Sequence, residues 1–296
     1  MPAPPRGRDG RKTPMKIRFW GTRGSIAAPG RDTTLYGGNT TCVEVRFESG
    51  ETVIIDAGTG IRRLGEGLRG GSASEPAALL ITHVHWDHII GFPFFATSLE
   101  PGTELLVDGH PNAVMGLQHT LDNPMGGGYF PLGIEDLKIR IKQMNRIAER
   151  PLELNGASVE SIPLRHPQGG LGFRLREAGR TLAFITDNEL ADEEAIEEYA
   201  SFCAGADVLI HDAQYAPQEM PAHRGWGHSD YGAALELARR AEVGRLVLFH
   251  HDPARTDAEL KAFELLCRDL VEKRKWDVAV EAAREDAEIE LGGNAP

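Results

Sequence analysis

The residues best suited to chemistry lie in Thr82-His83-Val84-His85-Trp86-Asp87-His88, directly after the apolar run Ala77-Ala78-Leu79-Leu80-Ile81. Three histidines and one carboxylate within six residues, placed where a buried strand should end, suit one half of a two-metal site. Two ligands on one helical face need a spacing of three or four, whereas His83 and His85 alternate as side chains do in extended chain. Asp87 and His88 then begin a turn or short helix and point elsewhere. One metal held by His83 and His85, beside another held by Asp87 and His88, fits that geometry. Imidazole and carboxylate without thiolate favour Zn first, then Mn or Fe, because these borderline ions accept mixed nitrogen and oxygen coordination.

Other apolar stretches end on the same residue types. Ser158 to Arg165 runs to His166, Thr181 to Thr186 runs to Asp187, Asp207 to Ile210 runs to His211 and Asp212, and Arg245 to Phe249 runs to His250. Sheet-containing α/β proteins collect their ligand sites outside the carboxyl ends of strands, so these ends imply one shared crevice. Thr52-Val53-Ile54-Ile55 ends likewise on Asp56, a candidate partner for the second ring nitrogen of a metal-bound histidine.

The elements that must position these residues follow from period and turn chemistry. Strands are expected from Met15 to Trp20, from Thr41 to Phe47 with Val43, Val45 and Phe47 inward, and over Leu105 to Val107. The glycine-rich stretches Gly21 to Ser25 and Tyr36 to Thr40 match neither a dinucleotide fingerprint nor a P-loop and read as tight turns. Ile89 to Phe95 supplies apolar bulk behind the motif. Helices are expected around Ile61 to Leu68, from His110 to Leu121, from Asp192 through Tyr199, after a cap at Ser229, and after Thr256. Cys267 falls at helical spacing with Leu260, Phe263 and Leu270, which gives it a core role. Residues 123–132 are too rich in Gly and Pro for regular structure; they are either a lid presenting Tyr129 and Phe130 to a substrate or a plain surface loop.

Composition narrows the class. With 296 residues, 41% hydrophobic and 26% charged, the chain is ordinary for a soluble globular protein. No apolar run approaches the roughly 18 residues of a membrane span, and residues 1–14 read as a disordered basic tail without an export signal. Cys42, Cys203 and Cys267 are too few and too scattered for a disulfide framework or a thiolate zinc motif, so a cytoplasmic setting is expected. A formal net charge of −12 argues against a general basic surface that wraps nucleic acid, while leaving room for a locally basic cleft.

The motif and the strand-end residues after it resemble the metallo-β-lactamase superfamily, whose signature His-x-His-x-Asp-His is here His83, His85, Asp87 and His88. The resemblance runs from about Met15 to Leu291 and implies a four-layer αβ/βα sandwich, one domain over residues 15–296, with a dinuclear site at one edge. It implies that His166 joins His83 and His85 on the first metal, that Asp187 bridges, and that His250 joins Asp87 and His88 on the second; His251 is the rival to His250. The most similar branch is that of phosphodiesterases, with ribonuclease Z and the cyclic phosphodiesterase of phosphonate breakdown. Gly227-His228-Ser229 resembles that branch's additional active-site histidine, and Asp207 to Asp212 its strand followed by a histidine and an acid. His228 would then stabilise charge on a phosphoryl oxygen or protonate the leaving group, with Asp212 orienting it. His110, His119, His211 and His223 match no motif and are expected to be structural or at the surface.

Ribonuclease Z carries a long substrate-gripping arm between the positions of His166 and Asp187, whereas here a turn and a strand separate them. The Cys-containing zinc site of the phosphonate enzyme has no counterpart either. The resemblance therefore implies a hydrolase with two divalent metals, Zn before Mn or Fe, whose shared hydroxide attacks a small or cyclic phosphodiester or nucleotide. Precursor tRNA 3′ processing, thioester or lactam hydrolysis and metal sensing without catalysis are the alternatives. Extended nucleic acid is disfavoured, no membrane partner is expected, and homo-oligomerisation is left open.

Overall fold

Alternation along the apolar stretches decides how they are covered. Val53 and Ile55 belong to one buried cluster and Ile54 to another, as do Leu80 against Leu79 and Ile81, and Phe184 against Ala183 and Ile185. Side chains of period two with both faces buried require apolar matter on each side of the sheet.

A computed structural model describes residues 15–69, 78–97, 99–121, 131–133, 136–137, 139–144 and 146–292. The expected tail, 1–14, and residues 123–130 of the expected lid, with Tyr129 and Phe130, lie outside the described residues. The first half forms β1 (Met15–Gly21), β2 (Cys42–Arg46), β3 (Thr52–Ile55), α1 (Ile61–Arg69), β4 (Ala78–Ile81), the short α2 (Trp86–Ile89) and α3 (Phe92–Ala96), β5 (Glu104–Gly109), α4 (Ala113–Leu121) and β6 (Arg140–Gln143). The second half forms β7 (Leu152–Leu154), β8 (Ala157–Pro163), β9 (Leu171–Glu177), β10 (Arg180–Ile185), α5 (Glu193–Cys203), β11 (Val208–Asp212), the short α6 (Met220–His223), α7 (Tyr231–Arg240), β12 (Arg245–Phe249), α8 (Asp257–Arg274), β13 (Ala279–Ala282) and β14 (Glu288–Leu291).

Among the described residues these strands make two seven-stranded mixed sheets, ordered β14-β1-β2-β3-β4-β5-β6 and β13-β12-β11-β10-β9-β8-β7. Ile17, Val45, Leu80, Phe173, Phe184, Ile210 and Phe249 fill the layer between the sheets. Residues of α1, α3 and α4 cover the outside of the first sheet, and residues of α5, α7 and α8 cover the outside of the second. The result is the four-layer αβ/βα sandwich. Parallel pairing joins β3, β4 and β5 in one sheet and β10, β11 and β12 in the other, so their carboxyl ends open at common edges.

Helix starts differ from the expectations at two points. α4 begins at Ala113 rather than His110, because Pro111 disfavours helical backbone at the residue before it and the His110 N–H instead donates to Ile81 O at 2.8 Å. Asp230, not Ser229, caps α7: its carboxylate accepts from the N–H groups of Gly232 and Ala233 at 2.7 and 3.1 Å. The Ser229 hydroxyl is used otherwise, donating to Asn188 O at 2.6 Å and accepting from Leu190 N at 3.0 Å. α5 is capped by Asp192 and continues past Tyr199 to Cys203, while Thr256 and Glu259 cap α8 reciprocally. All three cysteines are buried, and among the described residues no helix is long and apolar enough to cross a membrane.

Candidate metal centre

After β4 the chain leaves the sheet without regular structure through His83 and an extended His85, whose φ is −65° and ψ 152°, and then turns into α2. The chain after β8 brings His166 to the same edge, while Asp187 follows β10 and His250 follows β12. Four groups of three side chains place their ligand atoms within 4.8 Å of one another: His83, His85 and His166; Asp87, His88 and His250; His83, His88 and Asp187; Asp187, His228 and His250. Asp187 therefore stands at the centre. Its carboxylate lies 3.8 Å from His83 Nε2, 3.4 Å from His88 Nε2 and 3.2 Å from His250 Nε2. Asp87 Oδ2 is 3.4 Å from His88 Nε2 and 3.2 Å from His250 Nε2, and His166 Nε2 is 3.2 Å from His85 Nδ1.

The outward nitrogens of these rings are all occupied. His88 Nδ1 donates to Asp56 Oδ2 at 2.8 Å, His250 Nδ1 to Gln214 Oε1 at 3.0 Å, His85 Nε2 to Gln168 Oε1 at 2.9 Å and His166 Nδ1 to Gly227 O at 3.2 Å. His83 Nδ1 meets the Thr82 hydroxyl at 3.1 Å, and that hydroxyl donates to Asp56. Bonds of this kind fix the tautomer and leave the inward nitrogen with a lone pair. His83 Nε2 and His88 Nε2 are buried without any hydrogen-bond partner, an arrangement that a cation between the rings would satisfy. The donor set and these orphaned nitrogens fit divalent metal binding.

Electrostatics agree with that fit. Burial, with His88 adding to it, pushes the His83 imidazole well below its ordinary range, and burial also lowers His166, so both favour the neutral form that ligates. Burial would lower His88 too, but Asp87, Asp187 and Asp56 outweigh it and raise its pKa well above the ordinary value. Burial opposes charge on Asp87 and Asp187, yet the surrounding imidazoles hold both well below the usual carboxylate range.

Backbone geometry at the site is unusual. Asp56, Asp187 and His250 all have positive φ, at 62°, 55° and 55°, and Ser25 has 61°. Aspartate and histidine tolerate this left-handed region better than most residues, and such conformations concentrate at functional sites. Glycine is required at two close approaches. A Cβ on Gly24 would overlap the His250 ring, and one on Gly227, whose φ is 83°, would overlap the His166 ring. The Ser25 N–H donates to Asp87 Oδ2 at 2.6 Å, which draws the turn after β1 into the site.

His228 flanks the cluster, its ring stacked on His250 at 5.0 Å and set edgewise to His166 at 5.5 Å. Its Nδ1 is buried, 3.7 Å from both Asp187 and Asp212, and has no hydrogen-bond partner. Burial would push this imidazole down, but Asp212, Asp187 and Asp87 prevail and raise it. Asp212 accepts from the N–H of Asn188 at 3.1 Å and of Ser229 at 2.8 Å, tying the loop of Asp187 to the loop of His228. His251 points elsewhere: its Nε2 donates to Ala283 O at 2.9 Å, and burial pushes its pKa down to about 3. His211 is buried against its own strand, donating to Asp212 O, while His110, His119 and His223 lie outside the cluster. Thr82, Gln168, Gln214, Gly24 and Ser25 shape the centre without any sequence signal beyond turn composition.

The open side of the centre is a cavity of about 410 Å³ lined by Ser25, Val84, His85, Trp86, Asp87, Asp187, His228 and His250. A ribonuclease Z from Shouchella clausii is 25% identical, with 80% of this chain and 86% of that protein covered. The crystal structure of the metallo-beta-lactamase fold protein YhfI from Bacillus subtilis superposes with a TM-score of 0.68 at 18% identity, covering 95% of this chain and all of that one. A diphosphatase from the PhnP family gives 0.66 at 17% identity, covering 94% of this chain and 98% of its own. Residues 51–251, more than half of the sequence, match the family described as "Beta-lactamase superfamily domain", and the chain belongs to that family.

Proposed function

We propose that this chain is a metal-dependent hydrolase of the phosphodiesterase branch, with residues 15–296 acting as one domain on a small or cyclic phosphodiester. His83, His85 and His166 would hold one divalent ion, Asp87, His88 and His250 a second, and Asp187 would face both. Zn suits this donor set best, with Mn and Fe as rivals. Two such ions lower the pKa of water towards neutrality and polarise a phosphoryl oxygen.

The observation that carries the reading is the packing of five inward-facing imidazoles and Asp87 around Asp187, with the unpaired Nδ1 of His228 beside them. From that position His228 hydrogen-bonds the phosphoryl oxygen or the leaving oxygen as charge develops, assistance typically worth about 10²–10⁴-fold in rate. Asp212 sets the spacing between His228 and Asp187 through the two loops it joins. The ribonuclease Z relatives support phosphodiester chemistry. The simple β9–β10 hairpin between His166 and Asp187 supports a small substrate, and the three buried free thiols suit a reducing compartment.

Protein reconstituted with Zn, Mn or Fe should bind two ions per chain and hydrolyse 2′,3′- or 3′,5′-cyclic nucleotides or other activated phosphodiesters. His228→Ala should lower turnover by at least about 100-fold while both ions remain bound; parallel loss of ions and turnover would assign His228 to the metal set or to the framework. Turnover of thioesters or lactams alone would overturn the substrate class, and two bound ions without turnover of any panel would indicate a sensor. A second reading, cleavage of a tRNA, is favoured by the ribonuclease Z relatives and the fold shared with human tRNase Z, and an assay on precursor tRNA separates it from the first.

A further inference from the structure

Three large apolar side chains stand exposed on the loops that carry the centre, and the metal ligands do not require them. Trp86 lies between His85 and Asp87, lines the cavity and is 78% exposed. Ile26 follows Ser25, whose N–H is bonded to Asp87, and is 66% exposed. Trp226 precedes Gly227 and His228 across the site and is 58% exposed, its indole edgewise to His223 at 5.0 Å. Single exposed apolar side chains are ordinary, but three on the loops that frame one catalytic cavity form a feature.

The cavity lining includes no lysine or arginine among the described residues. A polyanionic backbone passing over it would find no cation there beyond the metals, whereas one phosphodiester carrying an aromatic group would find both of its parts matched. Trp86 is the side chain placed to meet that group, because it is continuous with two ligand positions yet has most of its surface in solvent. A helix start at Trp86 aims the residue away from the core, where Ile89 is buried.

We infer that Trp86 is a specificity residue, a stacking platform that selects phosphodiesters bearing a nucleobase over esters of the same phosphate geometry without one. The inference rests on the phosphodiesterase reading and narrows its substrate class. Trp86 takes no part in bond breaking; it holds the base while the phosphoryl group reaches the centre.

The test compares adenosine 2′,3′-cyclic phosphate with methyl riboside 2,3-cyclic phosphate, which presents the same cyclic ester without a base, using the Zn-loaded full chain. Wild-type protein should show the higher kcat/KM on the adenosine ester. Trp86→Ala should cut the ratio of the two kcat/KM values about tenfold, through KM rather than kcat, as expected for loss of one base–aromatic stack. Trp86→Phe should keep most of the ratio, and metal content of each variant is measured alongside. An equal preference in the wild type, or a ratio unmoved by Trp86→Ala, overturns the inference and leaves the phosphodiesterase reading intact. Two bound ions with no turnover of either ester removes that reading and this inference with it.

Discussion

Asp56 touches no candidate site for substrate, yet it is the residue on which the orientation of two imidazoles depends. Its carboxylate accepts from His88 Nδ1 and from the Thr82 hydroxyl and N–H, and the same hydroxyl meets His83 Nδ1. Replacing it with asparagine puts an amide where the carboxylate accepts its several bonds. Asp56→Asn should weaken metal affinity roughly 10–100-fold in a competition titration with the fold retained by circular dichroism; undiminished affinity would show that the rings hold themselves. At this scale the residues that cluster were legible. His83, His85, Asp87 and His88 stand within one short stretch, and Asp56, His166, Asp187 and His250 each end an apolar run. The need for glycine at positions 24 and 227 was not legible, because what demands it at each is an imidazole distant in sequence. Gln168 and Gln214 likewise carry no motif, since an amide accepting one ring N–H is specified only by distance.

The elements were readable wherever burial on one or two faces left a periodic trace, as in Val43, Val45 and Phe47 or in Thr52 to Ile55. Their ends were less so. Ser229 and Asp230 are both good caps in sequence, and the choice between them is made by what Ser229 is needed for across the site. Asp230→Ala should therefore lower stability by about 1 kcal/mol, or roughly 2 °C in melting temperature, with turnover little changed. Ser229→Ala should do the reverse, disturbing the Asn188–Leu190 segment next to Asp187 and costing activity more than stability. Thermal melts with parallel assays of both variants decide this; identical behaviour would mean that the cap and the loop tie are one unit.

Across the whole molecule, the candidate ligands are divided between the two halves of the sandwich. His83, His85, Asp87 and His88 follow a strand of the first sheet, whereas His166, Asp187 and His250 follow strands of the second. An ion shared by these groups ties the sheets together and binds only the folded chain, so it stabilises that chain by mass action. Removing metal with a chelator should lower the melting temperature by several degrees, and readdition of Zn should restore it; a melting temperature indifferent to both would count against metal binding. Sandwich architecture was legible from the strand-and-ligand repeat and the motif it resembles. The pairing of β14 with β1, which sets the last described strand at the edge of the first sheet, left no trace in local pattern, although Ile289 and Leu291 alternate as in a strand.

That division of ligands also orders events during synthesis. As soon as residue 88 is made, the growing chain holds three imidazoles and a carboxylate of the constellation. His250 arrives only with β12, after most of the second sheet exists, and the edge strand beside β1 comes later still. The complete constellation therefore exists only once residue 250 has been made and the strands of the second sheet that precede it have docked, and a chain that ends before His250 cannot acquire it.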